Sequence, residues 1–255
     1  MAWTQISRMQ VLVRKALEAI PAVVMHPNQL IQAARGVHWA TLNMIDKPWL
    51  KGLDVRTVID VGANTGQFAS AARAIYPDAL IYSFEPVPNS FHTLEARFSA
   101  DSLIQAFNVA ISDNIGTGSM NLNHFSESSS LLNMADKHKE AFPWTSPTMQ
   151  IQVEFKTLDS FAAELSLVPA VLLKIDVQGS EDRVLRGAER LLQQCEHVLV
   201  ETSFSPLYEG EPLFDDIYVF LRSRGFIFKG FVDQLAHPKT GEILQGDAFF
   251  VRAKE

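Results

Sequence analysis

Val58-Ile59-Asp60-Val61-Gly62-Ala63-Asn64-Thr65-Gly66 decides the fold. A β-branched run from Thr57 to Val61 reads as a buried strand, and the pattern then changes at Gln67 to a helix that runs to Ile75 and stops before Pro77. Gly62 and Gly66 free the turn to take backbone angles closed to other residues and to come close to a ligand. In open α/β sheets ligands bind at the carboxyl end of a strand, at such a turn. A purely structural strand–helix turn has the same composition, so the stretch needs support from the rest of the chain.

That support is an alternation of elements. Strands are expected at Ala79 to Phe84, Leu103 to Ile111, Val171 to Val177 and His197 to Thr202. Helices are expected from Pro88 to Phe98, from Gly179-Ser180 onward with Val184, Leu185, Ala188, Leu191 and Leu192 as the buried face, and from Pro212 to Arg224. Phe226 to Val232 and Ala248 to Arg252 follow with only a turn around Pro238 and Gly241 between them, so they should pair antiparallel. The expected fold is α/β: a doubly wound, seven-stranded, mostly parallel sheet with a C-terminal antiparallel hairpin.

Residues 1–56 read as an N-terminal helical extension, with Met9, Leu12, Val13, Leu17 and Ile20 in one stripe and a second helix over Gln29 to Ala34. It is expected to be a cap, a substrate lid or the contact of a homodimer. Residues 57–255 form the main domain. Within it, 114–157 breaks the rhythm with a serine cluster (Ser126, Ser128, Ser129, Ser130) and Pro143 and Pro147, and reads as a variable substrate or lid segment.

The net charge of −7 over 255 residues leaves no electrostatic footprint for nucleic acid. The one cysteine, Cys195, allows no internal disulfide or cysteine-based zinc site, and reads as a small buried residue near the end of a helix. No apolar run approaches the roughly 18 residues of a membrane span, and the N-terminus lacks the order of a signal peptide. The expectation is a cytoplasmic protein without a transmembrane segment.

Glu85 ends the second strand, 23 residues after Gly62. A carboxylate there can accept hydrogen bonds from both ribose hydroxyls of a nucleoside. This fits NAD and S-adenosylmethionine equally, and the loop separates them. A dinucleotide fingerprint is G-x-G-x-x-G, whereas Asn64 stands at its second glycine. S-adenosylmethionine has no phosphates. Its amino-acid tail needs backbone N–H groups for the carboxylate and an acceptor for the ammonium, and Asp60 can be that acceptor directly or through water.

The run D-V-G-A-N-T-G followed by F-E-P resembles class I S-adenosylmethionine-dependent methyltransferases, specifically the FkbM-like family. Asn108 to Asp113, Ser129 to Leu132, Thr157 to Asp159, Leu173 to Glu181 and Val184 to Ala188 resemble that family's pattern in the same order, over roughly residues 55–252. The resemblance implies that Asp60, Gly62, Asn64 and Gly66 hold the methionine part, Glu85 the ribose, and Ser112 with Asp113 the adenine. It implies a soluble enzyme that methylates an oxygen of a sugar, a glycan or a secondary metabolite.

Asp176 ends an apolar strand where the sulfonium should lie, and Lys174 shares its face two residues earlier. Asp176, Lys174 and Glu201 are therefore the candidate catalytic residues. A divalent ion would need Asp176, Glu181 and Glu201 as ligands. Gln178 stands where the family often has glutamate and is a weaker ligand for a hard cation, so no metal site is assigned. His92, His124 and His138 are rival bases with ordinary packing or surface roles open to each. Two alternatives to a methyltransferase are a catalytically silent binding module and an NAD-dependent oxidoreductase.

Overall fold

The structure is a computed structural model that describes residues 37–123, 126–145, 147–161 and 164–253. In chain order, two short helices, α1 (Trp39–Ile45) and α2 (Pro48–Lys51), precede β1 (Thr57–Val61), α3 (Gln67–Ile75), β2 (Leu80–Phe84), α4 (Pro88–Phe98) and β3 (Ile104–Phe107). Next come β4 (Ala110–Ile111), β5 (Gly116–Asn123), α5 (Asp136–Ala141), β6 (Pro147–Lys156) and α6 (Leu158–Phe161). The chain ends with β7 (Val171–Ile175), α7 (Glu181–Arg186), α8 (Glu189–Leu192), β8 (Cys195–Ser203), α9 (Phe214–Ser223), β9 (Phe226–Ala236) and β10 (Ile243–Arg252).

The main sheet has seven strands in the order β3-β2-β1-β7-β8-β10-β9. All pairings are parallel except those of β10, which runs antiparallel to both β8 and β9. This is the doubly wound sheet with a terminal hairpin that the alternation of elements implies.

Both faces of the sheet are buried, so its central strands are apolar without interruption by period. One face carries Ile59, Val61, Leu173, Ile175, Val198, Val200 and Phe250 against Leu185 and Leu191 of α7 and α8 and Ile217 and Leu221 of α9. The other carries Val58, Ile81, Leu172, Leu199 and Phe249 against Leu42, Ile45, Leu50 and Phe68 of α1, α2 and α3. On this second face the run is broken by Asp60 and Lys174, both buried. Two charges inside an otherwise apolar layer need partners, and those partners define the site.

Several expectations are refined. Leu103 to Ile111 is not one strand. Asn108 donates its side-chain amide to the carbonyls of Glu85 (2.8 Å) and Pro86 (3.0 Å), and the chain leaves the main sheet there. β4 then joins a second, three-stranded sheet, β4-β6-β5, built from the segment 114–157. The helix after Gly179 is interrupted at Gly187, where an added Cβ would lie 2.0 Å from the Ser112 carbonyl oxygen. Cys195 does not end a helix; it opens β8, fully buried, and burial pushes its thiol pKa up. Of residues 1–56, those from 37 on pack into the core, with the Tyr76 hydroxyl donating to the Leu50 carbonyl at 2.8 Å. The stripe Met9 to Ile20 and the helix Gln29 to Ala34 lie outside the described residues. Among the described residues no helix is long and apolar enough to cross a membrane.

Candidate active site

Sheet register brings the polar residues together. Asp60 of β1 lies beside Lys174 of β7, Lys174 beside Leu199 of β8, and Leu199 beside Phe249 of β10. Side chains repeat every two residues along a strand, so the next row on the same face is Glu85, Gly62, Asp176, Glu201 and Asp247. Glu201 and Asp247 are direct cross-strand partners. This second row lies at the carboxyl edge of the parallel strands and forms the floor of a cavity of about 360 Å³.

The Gly62–Gly66 turn closes one end. Gly62 (φ +79°), Asn64 (φ +48°) and Gly66 (φ +84°) are all left-handed. An added Cβ on Gly62 would lie 1.8 Å from the Asp176 carbonyl oxygen, so only glycine allows β1 and β7 to close up here. Glu85 ties this turn to β2. Its carboxylate accepts the N–H of Asn64 and of Val87, each at 2.8 Å, and burial pushes its pKa up to about 7.

Lys174 carries the charge balance of the inner row. Its ammonium lies 3.3 Å from Asp60 Oδ1 and 3.5 Å from Asp176 Oδ2, donates to the Gly62 carbonyl at 3.0 Å, and sits over the Phe68 ring. Burial alone would lower its pKa, but the Asp60 and Asp176 carboxylates outweigh it and keep the group protonated. Burial raises Asp60, with Lys174 drawing it back.

On the acceptor side of the floor, the Gln178 side-chain amide donates to Asp176 Oδ1 (2.9 Å) and to Glu201 Oε2 (2.6 Å). Its carbonyl oxygen accepts the Tyr208 hydroxyl at 2.8 Å. Gln245 adds a second amide to Glu201 Oε2 at 3.1 Å. Burial, then the Asp176 and Asp247 carboxylates, push Glu201 well above the usual carboxylate range. Glu181 accepts the N–H groups of Val177 and Gly179, both at 3.1 Å, and so fixes the turn after β7 from behind; burial pushes it up to about 8.

The roof is the serine-rich stretch. Ser126 donates to Asn64 Oδ1 (3.0 Å), Gln67 donates to Glu127 Oε1 (3.1 Å), and Ser130 donates to the Gln178 carbonyl (2.5 Å). One segment thus touches both the glycine turn and the acid side of the floor.

Of the residues singled out from sequence, Gly62, Asn64, Glu85, Lys174, Asp176 and Glu201 line the cavity. Asp60, Gly66, Ser112 and Asp113 do not. Asp60 lies behind Lys174, and Gly66 turns the chain against Leu94 and Phe98. Asp113 is held by Arg186 at 3.0 and 3.1 Å, which outweighs its slight burial and lowers its pKa; Ser112 donates to it at 3.3 Å. Val87, Val109, Ala110 and Ile111 form the wall there instead. Phe204 and Phe214 pack with Phe231 in an aromatic cluster, and Tyr208 reaches the site through Gln178 and through the Ser128 carbonyl, to which its hydroxyl donates at 3.4 Å. His138 is buried against Tyr208 and Thr145, away from the cavity, with burial lowering its pKa to about 4; His92 is exposed and His124 lies outside the described residues. Among the described residues no group of three or more His, Cys, Asp or Glu is arranged to hold a metal ion.

The reading from sequence missed Gln245 and Asp247. β10 begins at Ile243, five residues before the expected Ala248. Gln245 and Asp247 alternate with Gly246 and Ala248 in a period of two, and that alternation is the signal that finds them.

Similar curated proteins include the 2-O-methyltransferase NoeI of Sinorhizobium fredii, 27% identical over 182 residues (69% of this chain, 72% of that protein). The 31-O-demethyl-FK506 methyltransferase FkbM of Streptomyces tacrolimicus is 25% identical over 211 residues (71% and 78%). Among solved structures, Aeropyrum pernix fibrillarin in complex with S-adenosyl-L-methionine aligns over 82% of this chain and 76% of its own, with a TM-score of 0.43 and 14% identity. The pattern of the FkbM methyltransferase domain matches residues 60–228, and the chain belongs to that family of S-adenosylmethionine-dependent methyltransferases.

Proposed function

We propose that the enzyme transfers a methyl group from S-adenosylmethionine to a hydroxyl of a sugar, a glycan or a secondary metabolite. The observation that carries this reading is the charge of the cavity. Among the described residues, Glu85, Glu127, Asp176, Glu201 and Asp247 line it and Lys174 is the one cation. The ionised members of such a wall attract a sulfonium cation and repel the pyrophosphate of a dinucleotide. The 2-O- and 31-O- positions in the names of NoeI and FkbM support an oxygen acceptor.

The residues present fit the donor. A carboxylate has about four lone-pair sites, and backbone N–H groups use two at Glu85. The others remain for the vicinal hydroxyls of a ribose. Val87, Val109 and Ile111 offer an apolar slot for a purine, and Asn64 with Gln67 borders the space for an amino-acid tail. The donor, when bound, supplies an activated methyl group on a positively charged sulfur.

The chain's part is alignment and charge. Lys174 fixes Asp176, and Gln178 fixes Asp176 and Glu201 relative to each other. Holding an acceptor oxygen in line with the methyl carbon removes most of the entropy from the barrier. Ser126 to Ser129 and Leu131 cover part of the cavity from above.

Thermal-shift screening tests the reading. A ligand that binds only the folded state at 100 times its Kd adds about 2.7 kcal/mol of stability. S-adenosylmethionine and S-adenosylhomocysteine are expected to raise the melting temperature and NAD to leave it unchanged. Protection by NAD alone would overturn the proposal.

A further inference from the structure

The five acids of the cavity wall are not equivalent. Glu85 is held by two backbone N–H groups, and Glu127 by Gln67. Asp176 is held by Lys174 and Gln178, and Glu201 by Gln178 and Gln245. Asp247 lies in the same row, directly across from Glu201. Among the described residues it has neither a hydrogen bond nor an ion pair. A carboxylate that faces a cavity with its lone pairs uncommitted is one whose partner comes from outside the chain.

We propose that Asp247 is the base that takes the proton of the acceptor hydroxyl, and that the acceptor is an uncharged polyol. This rests on the hydroxyl-methylation reading above. The step balances within the groups named. The acceptor oxygen bonds to the methyl carbon as the carbon–sulfur bond breaks, the electron pair stays on sulfur as a neutral thioether, and the hydroxyl proton passes to Asp247.

The acceptor class follows from the donors and acceptors left free. Lys174 is committed to Asp60, Asp176 and the Gly62 carbonyl. The Gln178 amide is committed to Asp176 and Glu201. Among the described residues, the acceptor side therefore presents carboxylate oxygens without a free cation beside them. Hydroxyl groups, which donate, match it; a carboxylate or phosphate on the acceptor would meet like charge.

The environment also tunes the base. Burial, then the Asp176 carboxylate on β7 and Asp233 on β9, push Asp247 up to about 7, with Lys174 drawing it back; Glu201 faces it from β8. A base near neutral pH combines availability with driving force for proton transfer. Below that value the group is protonated and cannot accept, so kcat/KM rises with pH through about 7.

The experiment measures labelled-methyl transfer from S-adenosylmethionine to neutral methyl glycosides and inositol, to glucuronate and glucose 6-phosphate, and to a primary amine. Donor affinity by calorimetry and the melting temperature of the free protein are measured alongside. The neutral members are expected to be labelled. Asp247→Asn should cut their turnover by about 100-fold or more and remove the rise through neutral pH. Its donor Kd should stay within about twofold and its melting temperature should not fall, because the variant removes a buried charge that has no partner. Asp247→Glu should restore part of the rate. Donor binding without labelling of any neutral member, labelling of the anions or the amine alone, or an Asp247→Asn enzyme within about threefold of full turnover would each overturn the proposal and leave the methyltransferase reading standing. Calorimetry that finds no donor binding would remove both, before any acceptor is added.

Discussion

Replacing Lys174 with methionine isolates the electrostatics of the inner row. Lys174 keeps 8% of its side chain exposed and Asp60 none, with 3.3 Å between their charges. Neither oxygen of Asp60 has a hydrogen bond among the described residues, so the ammonium is its main compensation. Removing one member of a buried pair costs about 3–5 kcal/mol, since the other charge is left without a partner. For a chain of this size each kcal/mol moves the midpoint by about 2–4 °C, so Lys174→Met should melt about 10 °C lower. The double variant Asp60→Asn/Lys174→Met removes both charges and should recover much of that loss. The assay is equilibrium urea unfolding at pH 7 of the parent, Asp60→Asn, Lys174→Met and the double variant, read as a double-mutant cycle. The deficit should also shrink with acid. Without the ammonium, Asp60 moves further above its unfolded value; an acid raised in the folded state is stabilising when protonated and loses that contribution as pH rises. The deficit is therefore smaller at pH 5 than at pH 7. A Lys174→Met cost below about 1 kcal/mol, or a double variant less stable than Lys174→Met, would refute the reasoning.

The free protein should lose stability between pH 6.5 and pH 8. Glu85 and Asp247 are raised to about 7 and Glu181 to about 8, and each raised acid gives up stability as pH climbs through its folded value. Glu181 alone is worth about 1–2 kcal/mol over that interval. The same three acids ionise below pH 5 in the unfolded chain, so they already lose stability from pH 5 upward and outweigh the single buried His138, which is lowered to about 4 and acts in the opposite sense; urea midpoints should therefore fall from pH 5 through 6.5 to 8, and a midpoint that rises over that range would refute this. Gly62→Ala should cost about 4 kcal/mol or more, because its Cβ meets the Asp176 carbonyl at 1.8 Å. Gly210→Ala, with a similar φ of +77° but nothing within 4 Å, should cost about 1 kcal/mol, and equal losses by calorimetry would show that backbone conformation rather than crowding sets the cost.

The frame of the fold was legible because its signals are local. α3 and α4 have the limits set by Gly66, Pro77 and Pro88, which act on their neighbours. The second sheet was not read as one. Ile151, Val153 and Phe155 alternate with Gln152, Glu154 and Lys156, but their partners on β5, Met120, Gly118 and Gly116, lie far back along the chain in a polar stretch. The residues that line the cavity were legible at strand ends that follow apolar runs: Glu85, Asp176 and Glu201. It was not legible where a distant partner decides. Asp113 is tied by Arg186, 73 residues on, and Asp60 faces Lys174 rather than open space. Asp247 precedes its apolar run, because β10 enters the site in the opposite direction to its neighbours.

The order in which the acids line up has a consequence for how the chain tolerates insertions. One residue added between Pro238 and Gly241 lengthens a connection and leaves the pairing of β10 with β8 intact. The same residue added between Leu244 and Gly246 shifts the reading frame of the strand by one, and Gln245 trades faces with its neighbour. Length variation at this end of the molecule is therefore tolerated in the connection and, within β10, only where a bulge takes up the added residue, as β10 already does against β9.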